Sequence, residues 1–155
     1  MKIVVKIGSS LILEKNKVNL KPLSKVVKQI ADLKKSGHQI IVVSSGAIVL
    51  GRKMGFSKKW PENLVGKQAL AALGQPKLMS IYQKFFEKYG LSVAQILLTR
   101  DDIFSDRYLK VKNTLFTLFK KTLNLYFFLF NHFNLIYFIN LRLLYNKYLN
   151  REKVI

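Results

Sequence analysis

Cysteine is absent from the 155-residue chain, and this removes disulfide frameworks, thiolate metal sites and cysteine nucleophiles by inventory. Acidic residues are scarce, with 8 Asp plus Glu against 27 Lys plus Arg, so the formal net charge is +19. No apolar secretory stretch stands at the start, where MKIVVKIGSS runs straight into a strand pattern. The expected compartment is therefore the cytoplasm. Half of the residues are hydrophobic, too many for a chain that stays unfolded, and the length suits about one domain of roughly 100 to 200 residues.

A second set of absences divides the chain. Residues 122–155 contain no Gly, Pro, Ala, Ser, Asp or Gln, yet they hold nine of the 19 aromatic residues and six of the ten Asn. All eight Gly and all three Pro lie before them. Two parts are expected: a body over 1–121 and a divergent, apolar, Asn/Phe/Leu-rich tail over 122–155. The residues of the tail have AT-rich codons or are easily reached from them, so one reading is translation out of frame in AT-rich DNA. The other is a membrane helix, because positions 122–141 carry no formal charge over a length sufficient to cross the hydrocarbon layer. Asn124, Asn131, His132, Asn134 and Asn140 would each lose hydration there, so membrane residence is not expected.

The body alternates between strand and helix patterns. Lys2 to Ile7 is a β-branched run closed by Gly8, Ser9 and Ser10, as a buried strand ending in a turn would be. From Leu20, apolar residues at Leu23, Val26, Val27, Ile30, Ala31 and Leu33 form one helical stripe, with Asn19 as N-cap and Gly37 as stop. QIIVV, from Gln39, is a continuous apolar run of the kind buried on both faces of a parallel sheet, and Ser44, Ser45, Gly46 and Ala47 follow it. Residues 64–73 read as a helix broken at 74–76. A second helix carries Leu78, Ile81, Tyr82, Phe85, Phe86 and Tyr89, and Gly90 closes it. SVAQILL, from Ser92, is a third strand, and Ser105 or Asp106 caps a last helix through Phe119. The order βαβααβα predicts an α/β fold with a parallel sheet, whose ligands bind beyond the carboxyl ends of the strands. Both Ser/Gly loops lie on that edge.

Lys6, Gly8, Ser9 and Ser10 place a cation before a turn whose backbone can approach anionic oxygens. It is not a Walker A loop, since G-x-x-x-x-G-K-[ST] does not occur. The loop of Ser44, Ser45, Gly46 and Ala47 leads into an apolar helix start, where the partial positive charge of a helix N-terminus favours a carboxylate or phosphate. Alone, each loop also reads as an ordinary turn or cap. Together they suit an enzyme that holds a phosphoryl donor against an anionic acceptor, chemistry that depends mostly on positioning and charge neutralisation.

VVKIGSS, then GHQIIVVSSGAIVLGRKMG, then KQALAALGQPKLMSIYQKFFEKYGLSVAQILLTRDD and finally DRYLKVKNTL resemble, in order and spacing, the N-terminal part of the glutamate 5-kinases of the amino acid kinase family. The resemblance covers residues 1 to about 119. It implies a three-layer αβα sandwich around a mostly parallel sheet, ATP with Mg2+, a homo-oligomer, and transfer of the ATP γ-phosphate to the side-chain carboxylate of L-glutamate, the first step of proline biosynthesis. By the same resemblance Lys6 contacts the ATP phosphates and stabilises the transferring group, Gly8 and Ser9 give backbone contacts to ATP, and Ser45, with Gly46 and Ala47, binds glutamate. No metal ligand is assigned. After NTL the family continues into a strand and an Asn-Glu-Asn-Asp type segment, then into its nucleotide-binding half. The sequence KKTLNLYFFLFNHFNLIYFINLRLLYNKY stands here instead, so a truncated and inactive copy is expected. Asp101 and Asp102 match the family's TRDD segment and serve as caps.

Two other readings remain open. The +19 charge is compatible with nucleic-acid binding by counterion release. However, the lysines at 15, 17, 21, 25, 28, 34 and 35 are dispersed over what should be solvated helix faces, and nucleic acid is not expected. The tail could alternatively anchor a non-enzymatic remnant to a membrane. If the next strand is missing, the sheet should end in an unpaired edge beside an aromatic tail, which favours aggregation.

Overall fold

The computed structural model describes residues 1–14, 17–54, 60–98, 107–121 and 125–130. In chain order the elements are β1 (Lys2–Ile7), a 3-10 turn (Ser9–Leu11), β2 (Leu13–Glu14), β3 (Lys17–Val18), α1 (Lys21–Lys35), β4 (Gln39–Ser44), α2 (Ala47–Arg52), α3 (Leu64–Glu87), β5 (Val93–Leu98), α4 (Arg107–Lys121) and β6 (Leu125–Phe130). Four strands form one sheet in the order β1-β4-β6-β5, with every neighbouring pair parallel. β2 and β3 make a separate antiparallel pair.

Both faces of the sheet are covered, as the continuous apolar runs require. Ile3, Ile7, Ile40 and Val42 pack into the main core with Leu23, Val27, Ile30 and Ala31 of α1 and Leu78, Tyr82 and Phe86 of α3. Val4, Ile41 and Val43, which alternate with them onto the opposite face, are buried as well. This is the mixed α/β architecture with a parallel sheet that the sequence led us to expect.

Local chemistry sets the ends of α1. Asn19 Oδ1 accepts the N–H of Lys21 at 3.0 Å, and at the other end Gly37 turns the chain with φ +83°, a region that suits glycine. Gly90, at φ +71°, ends α3 in the same manner.

The β2–β3 pair and the short helix α2 are additions to the expected order βαβααβα, and in two further places the fold departs from the sequence expectation. The expected break at 74–76 does not occur, because α3 runs unbroken from Leu64 to Glu87 with Pro76 inside it. An interior proline costs a helix about 3 kcal/mol. Here both sides of Pro76 bury side chains in the same core, Ala71 before it and Leu78, Ile81, Tyr82 and Phe86 after it, and that burial outweighs the lost hydrogen bond.

The second departure is at the expected vacant edge. Leu125–Phe130 forms β6 and lies between β4 and β5, paired on both sides. LYFFLF is rich in aromatic residues that favour strands, and a strand in the interior of a parallel sheet can be apolar throughout. The shift in composition after Lys121 is therefore not accompanied by a break in the sheet through Phe130. Since these six residues are strand, positions 122–141 are not one membrane-crossing helix. Among the described residues no helix is long and apolar enough to span a membrane. Lys15, Asp101, Asp102, Ser105, Asp106 and His132 lie outside the described residues.

Candidate functional site

The parallel pairing of β1 with β4 brings the two loops together. Ile7 is opposite Ser44 in the ladder, so both strands end at the same level and their loops emerge side by side. One step farther, the N–H of Ser45 donates to the carbonyl of Ile7 at 3.0 Å, and the Ser45 hydroxyl lies 3.4 Å from the same oxygen. That carbonyl belongs to the residue between Lys6 and Gly8, so the second loop is tied to the root of the first.

Lys6 pairs with Val43 and is exposed at the end of a row whose preceding members, Val4 and Ile41, are buried. Gly8 precedes the 3-10 turn with φ −78° and ψ 158°, a conformation open to any residue. A Cβ there would meet only the Ser10 hydroxyl at 3.6 Å. The backbone therefore does not require glycine at this position; its lack of a side chain leaves the main chain bare beside Lys6. The turn itself is closed by Leu11 N–H to Gly8 O at 3.2 Å and Ile12 N–H to Ser9 O at 3.0 Å.

Gly46 is constrained much more strongly. Its φ is +119°, and a Cβ would come within 2.7 Å of Ile12 Cδ1 and 3.9 Å of Ser9 Cα. Glycine here both permits the turn and lets the second loop lie on the first. Ala47 then opens α2, whose first N–H groups have no acceptor within the helix.

α2 is held in turn by α3. A Cβ on Gly74 would be 1.8 Å from the Ala47 carbonyl and 2.5 Å from the Gly51 nitrogen, and one on Gly51 would be 2.0 Å from the Leu70 carbonyl. The two helices thus meet backbone to backbone, and the start of α2 is fixed against a long helix rather than left on a free loop.

Two buried polar features of this region were not legible in the sequence. Ser44 is 3% exposed and Tyr82 is fully buried, and their hydroxyl oxygens are 2.6 Å apart. Burial raises the Tyr82 pKa well above the ordinary tyrosine value, although the bond to Ser44 opposes the shift. Gln75, one residue beyond Gly74, has a buried Nε2 with no hydrogen-bond partner among the described residues. Helical spacing marked Tyr82 as core, but nothing in the sequence connected it with a serine 38 positions away.

Taken together, these features define an α/β protein with a parallel sheet and two Ser/Gly loops, one preceded by a lysine, joined at the carboxyl edge of adjacent strands. The family model described as "Amino acid kinase family" matches residues 1–131, and the chain belongs to that family. It is 51% identical over 124 residues to a protein named glutamate 5-kinase from Caldanaerobacter subterraneus subsp. tengcongensis, an alignment covering 77% of this chain and 33% of that protein. Proteins of the same name from a Thermoanaerobacter species and from Thermus thermophilus are 48% identical over 123 residues and 42% identical over 116. The first of these alignments covers 77% of this chain and 33% of the relative, and the second 74% and 31%. The chain thus spans about a third of the length of the curated relatives it matches.

Proposed function

We propose that this chain carries the phosphate and acceptor loops of a glutamate 5-kinase, a cytoplasmic, ATP-dependent phosphotransferase that uses L-glutamate and serves proline biosynthesis. The observation that supports the reading best is the hydrogen bond from Ser45 N–H to Ile7 O, which ties the loop after β4 to the root of the loop after β1. The likeness to proteins named glutamate 5-kinase supports this substrate pair over others that two anion loops could hold.

In this reading the Lys6 ammonium neutralises the phosphate oxygens as charge shifts toward the leaving ADP, and the bare main chain at Gly8 and Ser9 lies alongside. A side-chain oxygen of glutamate attacks the γ-phosphorus while the bond to the β-γ bridging oxygen breaks, giving an acyl phosphate and ADP. The acceptor is a carboxylate that is already ionised at neutral pH, so the step needs no general base. Catalysis then consists of positioning and charge neutralisation, with Ser45, Gly46 and Ala47 holding the acceptor.

ATP phosphates fit a lysine beside exposed main chain. Magnesium, when bound with the nucleotide, would neutralise phosphate charge further. Among the described residues no group of three or more His, Asp or Glu could hold a metal ion, and we assign no step to it. The homo-oligomer of the family belongs to the same proposal.

Calorimetric titration of the purified chain tests it. Glutamate and ATP should each bind, Ser45→Ala should weaken glutamate, and Lys6→Met should weaken ATP. A chain that binds neither, or variants that leave both affinities unchanged, would refute the assignment.

A further inference from the structure

We infer that Tyr82 is a positioning residue for the acceptor loop, acting through Ser44 to fix the peptide that joins Ser45 to Gly46. The inference rests on the functional reading above for what the loop binds, but the relay itself follows from geometry.

Ser44 is the last residue of β4, on the face that meets α3, and its hydroxyl has two oxygen neighbours. It is 2.6 Å from the Tyr82 hydroxyl, and it donates to the Ser45 carbonyl at 3.2 Å. Each hydroxyl has one proton. A carbonyl only accepts, so the Ser44 proton goes to it, and in that arrangement Tyr82 O–H donates to Ser44 Oγ, giving a relay from Tyr82 to Ser44 to Ser45 C=O. Burial keeps Tyr82 in the protonated state that this direction needs, and a buried hydroxyl deprived of its partner is costly.

The effect on the site passes through one peptide plane. None of the described peptide bonds is cis, so the N–H of Gly46 points opposite to the Ser45 carbonyl. Because Ser44 holds that carbonyl, the Gly46 N–H is directed away from the buried hydroxyl pair. The other peptide of Ser45 is held as well, since its N–H bonds Ile7 O. Both peptides of Ser45 are therefore oriented before any ligand arrives, one from the end of β1 and the other from α3. Such preorganisation strengthens binding by removing an ordering cost. Tyr82 also rests on Phe86, with ring centroids 6.4 Å apart, and a fully buried ring has little freedom to move its hydroxyl.

The test uses the full chain labelled with 15N and compares Tyr82→Phe, Ser44→Ala, the double variant and Ser44→Thr. Tyr82→Phe keeps the ring and removes the relay, so the Gly46 amide resonance should move and glutamate affinity should fall by about three- to tenfold, the size of one net hydrogen bond. ATP affinity should change by less than twofold. Ser44→Ala should match Tyr82→Phe, and the double variant should be no worse than either single one, because residues that act as a unit are not additive. Ser44→Thr, which keeps the hydroxyl, should retain the wild-type Gly46 resonance. A folded Tyr82→Phe chain with an unmoved Gly46 amide and unchanged glutamate affinity would overturn the inference. If Tyr82→Phe does not fold, Ser44→Ala decides by the same two readings. Should the wild type bind no glutamate, the proposed function fails, while the Gly46 resonance still tests the relay.

Discussion

Gly74→Ala is the sharpest perturbation this structure offers, because two opposing effects of known size compete at that position. Alanine in a helix interior is favoured over glycine by about 1 kcal/mol, and on propensity alone the change should stabilise α3. The space argues otherwise: the new Cβ would be 1.8 Å from the carbonyl oxygen of Ala47 and 2.5 Å from the nitrogen of Gly51. Both are main-chain atoms of α2 and cannot rotate aside as a side-chain tip could. Overpacking a tight contact costs about 1–3 kcal/mol, and a clash with two backbone atoms belongs at the top of that range. The expected net effect is a loss of about 2 kcal/mol, or a fall of roughly 4–8 °C in the thermal midpoint for a chain of this size. Relief of the clash must displace the start of α2, so glutamate binding should fall as well. Urea unfolding followed by far-ultraviolet circular dichroism, with thermal melts alongside, measures the effect. A midpoint equal to or above the wild type would show that α2 and α3 do not meet backbone to backbone, and that the acceptor loop is not held as described.

Two further expectations follow from individual residues. Gly8→Ala meets no tight contact and no positive φ, so stability should stay level or rise by about 0.4–1 kcal/mol through the unfolded chain. ATP binding should nevertheless weaken if phosphate approaches that bare main chain, and calorimetry beside urea unfolding separates the two effects. Tyr82 has a raised pKa in the folded state, so its contribution to stability is complete below the unfolded tyrosine value of about 10 and is lost as pH rises toward the folded one. Lys34 is shifted down by partial burial and works in the opposite sense, adding stability as pH rises toward the ordinary lysine range. Unfolding free energy measured between pH 8 and 11.5 should decline more steeply at the alkaline end in the wild type than in Tyr82→Phe, and equal slopes would contradict the burial of that hydroxyl.

Much of this fold could be read along the chain, and what could not shares a cause. β1, β4 and β5 are apolar runs closed by small or turn-forming residues, and α1 shows its stripe and its Gly37 stop because these signals are local. α3 reads as two helices because the cost of Pro76 is local, whereas the burial that offsets it comes from elements distant in sequence. β6 is obscured for a related reason: its residues share the unusual composition of 122–155, and only the positions of β4 and β5 identify LYFFLF as an interior strand. The site divides in the same way. Lys6, Gly8, Ser45 and Gly46 are visible as loop residues at strand ends, but whether the two loops meet depends on the pairing of Ile7 with Ser44. The Tyr82 to Ser44 contact spans 38 positions and leaves no periodic signal.

The central claim is that the loops at Lys6 and Ser45 form one site for a nucleotide phosphate and the glutamate carboxylate. It is tested most directly by following the backbone amides of Gly8 and Gly46 in the 15N-labelled chain during separate titrations with glutamate and with ATP. Glutamate should shift Gly46 first, ATP should shift Gly8 first, and prior saturation with one ligand should change the response to the other. Saturable shifts confined to regions away from both loops, or no response of either glycine to either ligand, would contradict it.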